Sequence, residues 1–267
     1  MKNLILTTTA VLASSVFAWS QCKEVVWPEN RAKAEESVAI YGDALTTKNY
    51  RGATKALQWM LVNAPNWNTK LYIDGADIYD NLASAEKDPA KKEILIDSML
   101  LMYELRIKFC NDEINVLNRE AFAAYKFRIN NKTKAEDLLT LFDRVSKVSG
   151  TQIFDSNLVA YMQVVRANKV YNSLSDDKIL DRYDQIISAI DSKIKKAQSE
   201  NKAQDVEKLK SYKTVVDDLL IGMVKVDCDF VKKNLEPKYR QNPNDMTLAK
   251  RIFSFMLQES VRMIPYG

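Results

Sequence analysis

The chain contains no histidine, so it lacks both the commonest general base and the commonest metal ligand. Ser-His and Cys-His nucleophilic pairs cannot be assembled. Zinc, copper and haem sites lose the imidazole they most often use. Carboxylates, thiols and hydroxyls are what remain for chemistry. The pairs Asp176-Asp177 and Asp217-Asp218 are adjacent in sequence, and neighbours on a helix point about 100° apart. Neither pair converges on a substrate, and both read as helix starts or exposed faces. A glycosidase would need two carboxyls facing each other across a cleft, and no spacing here selects them. Neither a Gly-x-Ser-x-Gly elbow nor a phosphate-cradling glycine loop is present. Cys22, Cys110 and Cys228 are too far apart in sequence for a metal clip. In an oxidising compartment they would give one disulfide and one thiol, with the pairing open. Cys110 and Cys228 lie in apolar helical patterns, where cysteine is ordinarily a small core residue. The expectation is a non-enzyme with no catalytic, cofactor-binding or metal-binding residues.

Aromatic and arginine side chains offer recognition chemistry instead. If helical hairpins stack, their inner helices line an extended groove in which rigid amphipathic rings and arginines anchor a peptide. The candidate partner-binding residues are Tyr72, Tyr79, Arg119, Tyr125, Arg128, Tyr161 and Arg166, with Tyr171 on a later helix. The competing reading of each tyrosine is packing between hairpins. A second function from a different class is carbohydrate or nutrient binding in an outer-membrane uptake system, with tyrosines stacked on sugar rings.

The elements that would hold these residues follow from apolar spacing and breakers. Helices are expected over Asn30 to Leu45, Tyr50 to Val62, Asn68 or Thr69 to Leu82, and Pro89 to Phe109. Others follow at Val116 to Ile129, Lys134 to Val148, Ser156 to Tyr171, Asp176 to Ser199, Ala203 to Val226, Phe230 to Tyr239 and Met246 to Leu257. With six glycines and six prolines in 267 residues, turn signals are too sparse for a β sandwich or barrel. Short connections make neighbours antiparallel. The sequon Asn131-Lys132-Thr133 reads as a loop and helix cap.

Counting from Tyr50, Ala53, Leu57, Met60 and Pro65 fall three, seven, ten and fifteen residues on, and Leu71, Gly75 and Ile78 follow on the next helix. These offsets resemble the tetratricopeptide repeat, closely over Ser37 to Tyr79 and loosely elsewhere. The fold class expected is all-α: a tetratricopeptide-like α-solenoid of stacked antiparallel hairpins, irregular in the middle. In chaperone-binding members of that family, lysine and asparagine clamp a carboxylate. Here Val38, Gly42, Tyr72 and Ala76 occupy those inner positions, which disfavours that ligand.

Lys2, the apolar run Leu4 to Phe17 and the small residues of "AWSQC" read as a secretory signal peptide over 1–20. It is too short to span a bilayer, which takes about 20 apolar residues. The helical domain is expected over 21–258. Lipidation at Cys22 is disfavoured by Trp19, Ser20 and Gln21 before it. Acids and bases are interleaved, and the net charge of +4 is not gathered into a stripe, which argues against nucleic acid. With "CDFVKKNLEPKYRQNPND" and "VLNREAFAAYKFRINNK", the chain is similar to exported tetratricopeptide proteins of the Bacteroidetes cell envelope. The resemblance implies a periplasmic or outer-membrane-associated location, other envelope proteins as partners, and room for peripheral membrane association without a transmembrane helix. Residues 259–267, "ESVRMIPYG", are expected to be a frameshift scar, because a nucleotide string encoding them also encodes, in another frame, the segment with which such relatives continue. The last helix would then expose Ile252, Phe253 and Phe255. The function expected from all of this is a non-catalytic envelope scaffold or adaptor.

Overall fold

Helix starts are written into the sequence as side-chain caps. Asn30, Asn49 and Asn68 accept from the backbone N–H of Lys33, Gly52 and Lys70. Asp88 accepts from Ala90 and Lys91 ahead of Pro89 in the first turn. Each cap satisfies donors that a helix N-terminus leaves free, and proline there sacrifices nothing. The computed structural model describes residues 22, 24–225, 227–244 and 246–262, and among them there are helices and turns but no strand. Segment 1–20, expected to be a signal peptide, lies outside the described residues.

Two compact units meet at Glu113 and Ile114, within what the sequence presents as one array. The first holds α1 (Arg31–Thr46), α2 (Tyr50–Asn63), α3 (Thr69–Ala85) and α4 (Pro89–Cys110), each packed on the next. Its core gathers Leu57, Met60, Leu71, Ile78 and Met99. A Cβ at Gly75 would stand 2.8 Å from Met102 Sδ and 3.5 Å from Leu57 Cδ1, so any larger residue here would have to displace the Met102 side chain. Residues 22–30 run across the α2–α3 turn. Val26 N–H donates to Trp67 O (2.9 Å), Thr69 N–H to Cys22 O (3.1 Å), and Cys22 is disulfide-bonded to Cys110. A sulfur so bonded is not available for a lipid thioether.

The second unit holds α5 (Glu113–Arg128), α6 (Ala135–Ser149), α7 (Asp155–Asn172), α8 (Asp176–Ser199) and α9 (Ala203–Ile221). After these come α10 (Cys228–Phe230), a π-helical turn (Val231–Leu235), α11 (Glu236–Gln241) and α12 (Met246–Arg262). Asn131 caps the turn Lys132–Lys134 between α5 and α6. Helix α9 stops at Ile221 rather than at Val226. The expected helix over Phe230 to Tyr239 is present, within an unbroken helical run from Cys228 to Gln241 whose middle is π-helical. Pro237 has no N–H and crowds the carbonyl four residues back, and just before it the Glu236 N–H reaches Val231 O, five residues away.

Three expectations about single residues change. Cys228 is exposed, not in the core, because it opens α10 beside its cap Asp227. Phe255 is buried, whereas Phe253 is 64% exposed together with Met256 and Leu257. Helix α12 continues through Arg262, so the first residues of the proposed tail are helical; 263–267 lie outside the described residues. No described helix is long and apolar enough to cross a membrane.

Candidate functional site

In the second unit, polar side chains set the register between helices. Asn157 Nδ2 donates to Asn118 O (2.8 Å) and Asn118 Oδ1 (3.2 Å), across 39 residues. Asn118 Oδ1 also accepts from Phe154 N–H (2.7 Å), while its Nδ2 donates to Ile114 O and Ser149 Oγ. Both asparagines are fully buried. Further along, Tyr125 donates to Gln163 Oε1 across 38 residues. Arg182 Nε and Ser146 Oγ donate to Asp143 Oδ1 (2.9 Å) and Gln185 Oε1 (3.0 Å), each across 39. A constant separation means helices running the same way: α5 is parallel to α7, and α6 to α8. Between α6 and α7 the separation instead shrinks, from 33 for Asn168 and Ala135 to 18 for Tyr161 and Asp143, as antiparallel neighbours require. The α5–α6 and α7–α8 hairpins are thus successive copies of one unit, displaced by 38–39 residues.

The solvent side of α5 carries a mixed aromatic and basic stripe. Arg119, Phe122 and Lys126 are exposed on α5, as are Arg166 and Val170 on α7. Phe122 is 47% and Val170 70% exposed, large apolar surfaces for helices so well buried on their other sides. Phe122 stacks on Tyr125 at 6.4 Å, and the Arg119 guanidinium lies over Phe154 at 5.8 Å. Arg119 Nε donates to Asn115 Oδ1 (3.1 Å). Neither Arg119 nor Arg166 has a carboxylate partner among the described residues. Burial raises the Tyr125 phenol above its ordinary range, so it acts at neutral pH as a hydrogen-bond donor.

The sequence-selected residues divide accordingly. Arg119 and Tyr125 flank Phe122 on α5, and Arg166 is exposed on α7. Tyr161 and Arg128 belong to the same unit but are buried: Tyr161 packs on Phe142 at 5.6 Å and donates to Asp143 Oδ1 at 2.5 Å. Tyr72 and Tyr79, in the first unit, are buried too, and Tyr72 donates to Pro65 O (2.6 Å) while stacking on Phe109. These four side chains hold the helices together and offer no surface to a partner. Their buried rings also cannot stack on a sugar. Tyr171 is half-buried. Phe122 and Val170 were missed because an apolar residue in a helical pattern reads as core; only the arginines one turn away signalled an outward face.

On the other side of the same hairpins, α6 and α8 enclose a groove of about 620 Å³. Its wall is the fork in which Arg182 Nη2 meets Asp143 Oδ2 at 2.5 Å, with Ser146, Lys147, Gln185 and Ser188 around it. The fork neutralises both charges and ties the helices. Among the described residues no cluster of carboxylates and thiols gathers that could hold a metal ion. Asp176 pairs with Lys169 (2.7 Å), and Asp217 accepts from Tyr183 (2.5 Å), so each adjacent carboxylate pair has one member engaged in packing. No family model matches this chain, nor does any curated protein or solved structure.

Proposed function

We propose that this protein is a non-catalytic scaffold or adaptor of the bacterial cell envelope, binding other envelope proteins through the exposed side of α5. The observation that carries the reading is the exposure of Arg119 and of Phe122, whose ring stacks on Tyr125, on α5, the helix that runs parallel to α7. The asparagine contacts beneath fix the register of those helices. An exposed ring beside an arginine without a carboxylate partner is of the residue types that dominate protein interfaces. Residence outside the cytosol is supported by the Cys22–Cys110 disulfide, since such bonds persist in oxidising compartments. The architecture is of the tetratricopeptide kind, in a variant whose unit of 38–39 residues exceeds the 34-residue repeat by about one helical turn.

Photo-cross-linking tests the proposal. A photoreactive residue at position 122, compared with one at Ser211 on α9, should join the protein to a discrete envelope partner in intact source cells. Equal labelling from both positions, or none from 122, would remove the case for this face.

A further inference from the structure

We infer that the groove between α1 and α2 is a docking site for an amphipathic helix that carries acidic residues. The groove belongs to the first unit, and the inference does not rest on the α5 reading. Its volume is about 620 Å³. Ser37 and Ala56, both buried, form its floor, and Ile40 on α1 faces Trp59 and Val62 on α2 across it. Ile40 is 45% and Val62 78% exposed, while Trp59 is half-buried. A concave apolar surface with a tryptophan in its wall is the kind that receives the anchoring side chains of a partner.

Charge complementarity specifies the partner. Helix α2 carries Arg51 and Lys55 and no acid. At about 100° per residue, positions 51, 55, 59 and 62 lie within roughly 80° of one another, so bases and apolar residues share one stripe. Both bases are exposed, and neither has a carboxylate partner among the described residues. The acids of α1 do not answer them. Glu35 bonds to Arg31 (2.7 Å) and Glu36 to Lys33 (2.8 Å), and Asp43 lines no part of the groove. The uncompensated charge is therefore positive and lies toward the start of α2, with Trp59 and Val62 toward its end. A helix meets both on a single face, because residues at i, i+3, i+4 and i+7 share a side. Its apolar side chains enter beside Trp59, and its carboxylates one or two turns away face Lys55 and the planar fork of Arg51. Complementary charge of this kind raises association rate and selectivity.

The test is selection of a displayed library of eighteen-residue helices, randomised along one face, on the immobilised full chain, followed by fluorescence anisotropy of the enriched peptides. Helices with net negative charge and apolar residues at helical spacing should be enriched. Their affinity should fall with added salt, and should drop by about tenfold with Lys55→Glu and with Val62→Ala. Both positions are exposed, so the variants should keep the wild-type circular dichroism. Lys195→Glu, at an exposed lysine of α8, should leave binding unchanged. Enrichment of neutral or basic helices that still require Val62 would overturn the acidic specificity. If no helix is enriched, or if binding ignores both α2 substitutions, the docking site itself is overturned. Concentration-dependent dimerisation of the free chain in analytical ultracentrifugation, abolished by Val62→Asp, would assign the groove to a second copy and overturn the acidic partner. None of these outcomes bears on the cross-links from position 122, so the two surfaces stand or fall separately.

Discussion

The phenol of Tyr161 on α7 donates at 2.5 Å to Asp143 on α6, and the ring itself is wholly buried. Asp143 in turn receives the fork of Arg182 from α8, so one carboxylate joins three helices. Arg182→Ala should destabilise the second unit by about 1–2 kcal/mol, because it removes a charged two-bond contact. Tyr161→Phe should cost about 1 kcal/mol, since Asp143 keeps its arginine. Urea unfolding of both variants and the double mutant checks this. Strict additivity would mean the two contacts are independent.

Asn118 is the more demanding position. Its side chain makes four hydrogen bonds in a dry interior, and removing it orphans groups that water cannot reach. Asn118→Ala should destabilise by about 2–4 kcal/mol, lowering Tm by roughly 5–10 °C. A Tm within a degree or two of wild type would show that the contacts do not set the register.

Alkaline pH should unfold the protein through its tyrosines. Burial holds the phenols of Tyr41, Tyr72 and Tyr161 well above the ordinary tyrosine value, with Asp143 adding to the effect at Tyr161. A group whose folded pKa is raised contributes stability that is complete below its unfolded value, about 10, and is lost as the pH climbs past it. Tyrosinate absorbance should therefore rise in one step with the loss of helical circular dichroism above about pH 10. Titration of all tyrosines with the helices intact would contradict this.

Acid acts through Asp155. Burial alone would raise its carboxyl, but hydrogen bonds from Lys208 and Lys193 outweigh that and bring it below the ordinary range. A depressed carboxylate contributes stability above its unfolded value of about 3.9, and that stability is lost as the pH falls through the lower folded value. Asp74 works in the opposite sense, because burial raises it in spite of Lys70. Asp155→Asn should lower stability at pH 7 and flatten its decline below about pH 4. A mutant with an unchanged acid limb would remove Asp155 from the account.

Reduction should loosen the first unit. The Cys22–Cys110 bond closes a span of 88 residues, for which loop-closure entropy gives about 4–5 kcal/mol. Dithiothreitol or Cys22→Ser should depress its melting transition accordingly. Without reductant, maleimide should modify one thiol per folded chain, at the exposed Cys228.

What was legible in the sequence was local. Asn49, Asn68 and Asp88-Pro89 announce their helices because capping is a matter of two or three residues, and Gly75 announces a close approach because a side chain there would press on Met102. Helical period identified Tyr125 with Arg119, but it cannot say which stripe of a helix faces inward. Tyr72, Tyr79, Arg128 and Tyr161 accordingly went to the core, while Phe122 went to the surface. The 39-residue unit escaped notice because polar contacts such as Asn118 with Asn157 carry it, not an apolar pattern. The cysteine pair depends on how residues 22–30 cross the α2–α3 turn, a tertiary fact.

Because Asn118 and Asn157 are the same residue in the same place of successive hairpins, the second unit has a natural quantum of length. A duplicated block spanning 118–156 would end one residue before Asn157 and offer it another asparagine in the position Asn118 now holds. The junction between old and new blocks would then repeat a contact the chain already makes. Removing one residue from the α6–α7 connection would instead set every cross-hairpin pair out of phase. Such a protein can be lengthened by whole modules, and its reach toward a partner adjusted in steps of one hairpin, while single-residue insertions inside the repeat are penalised.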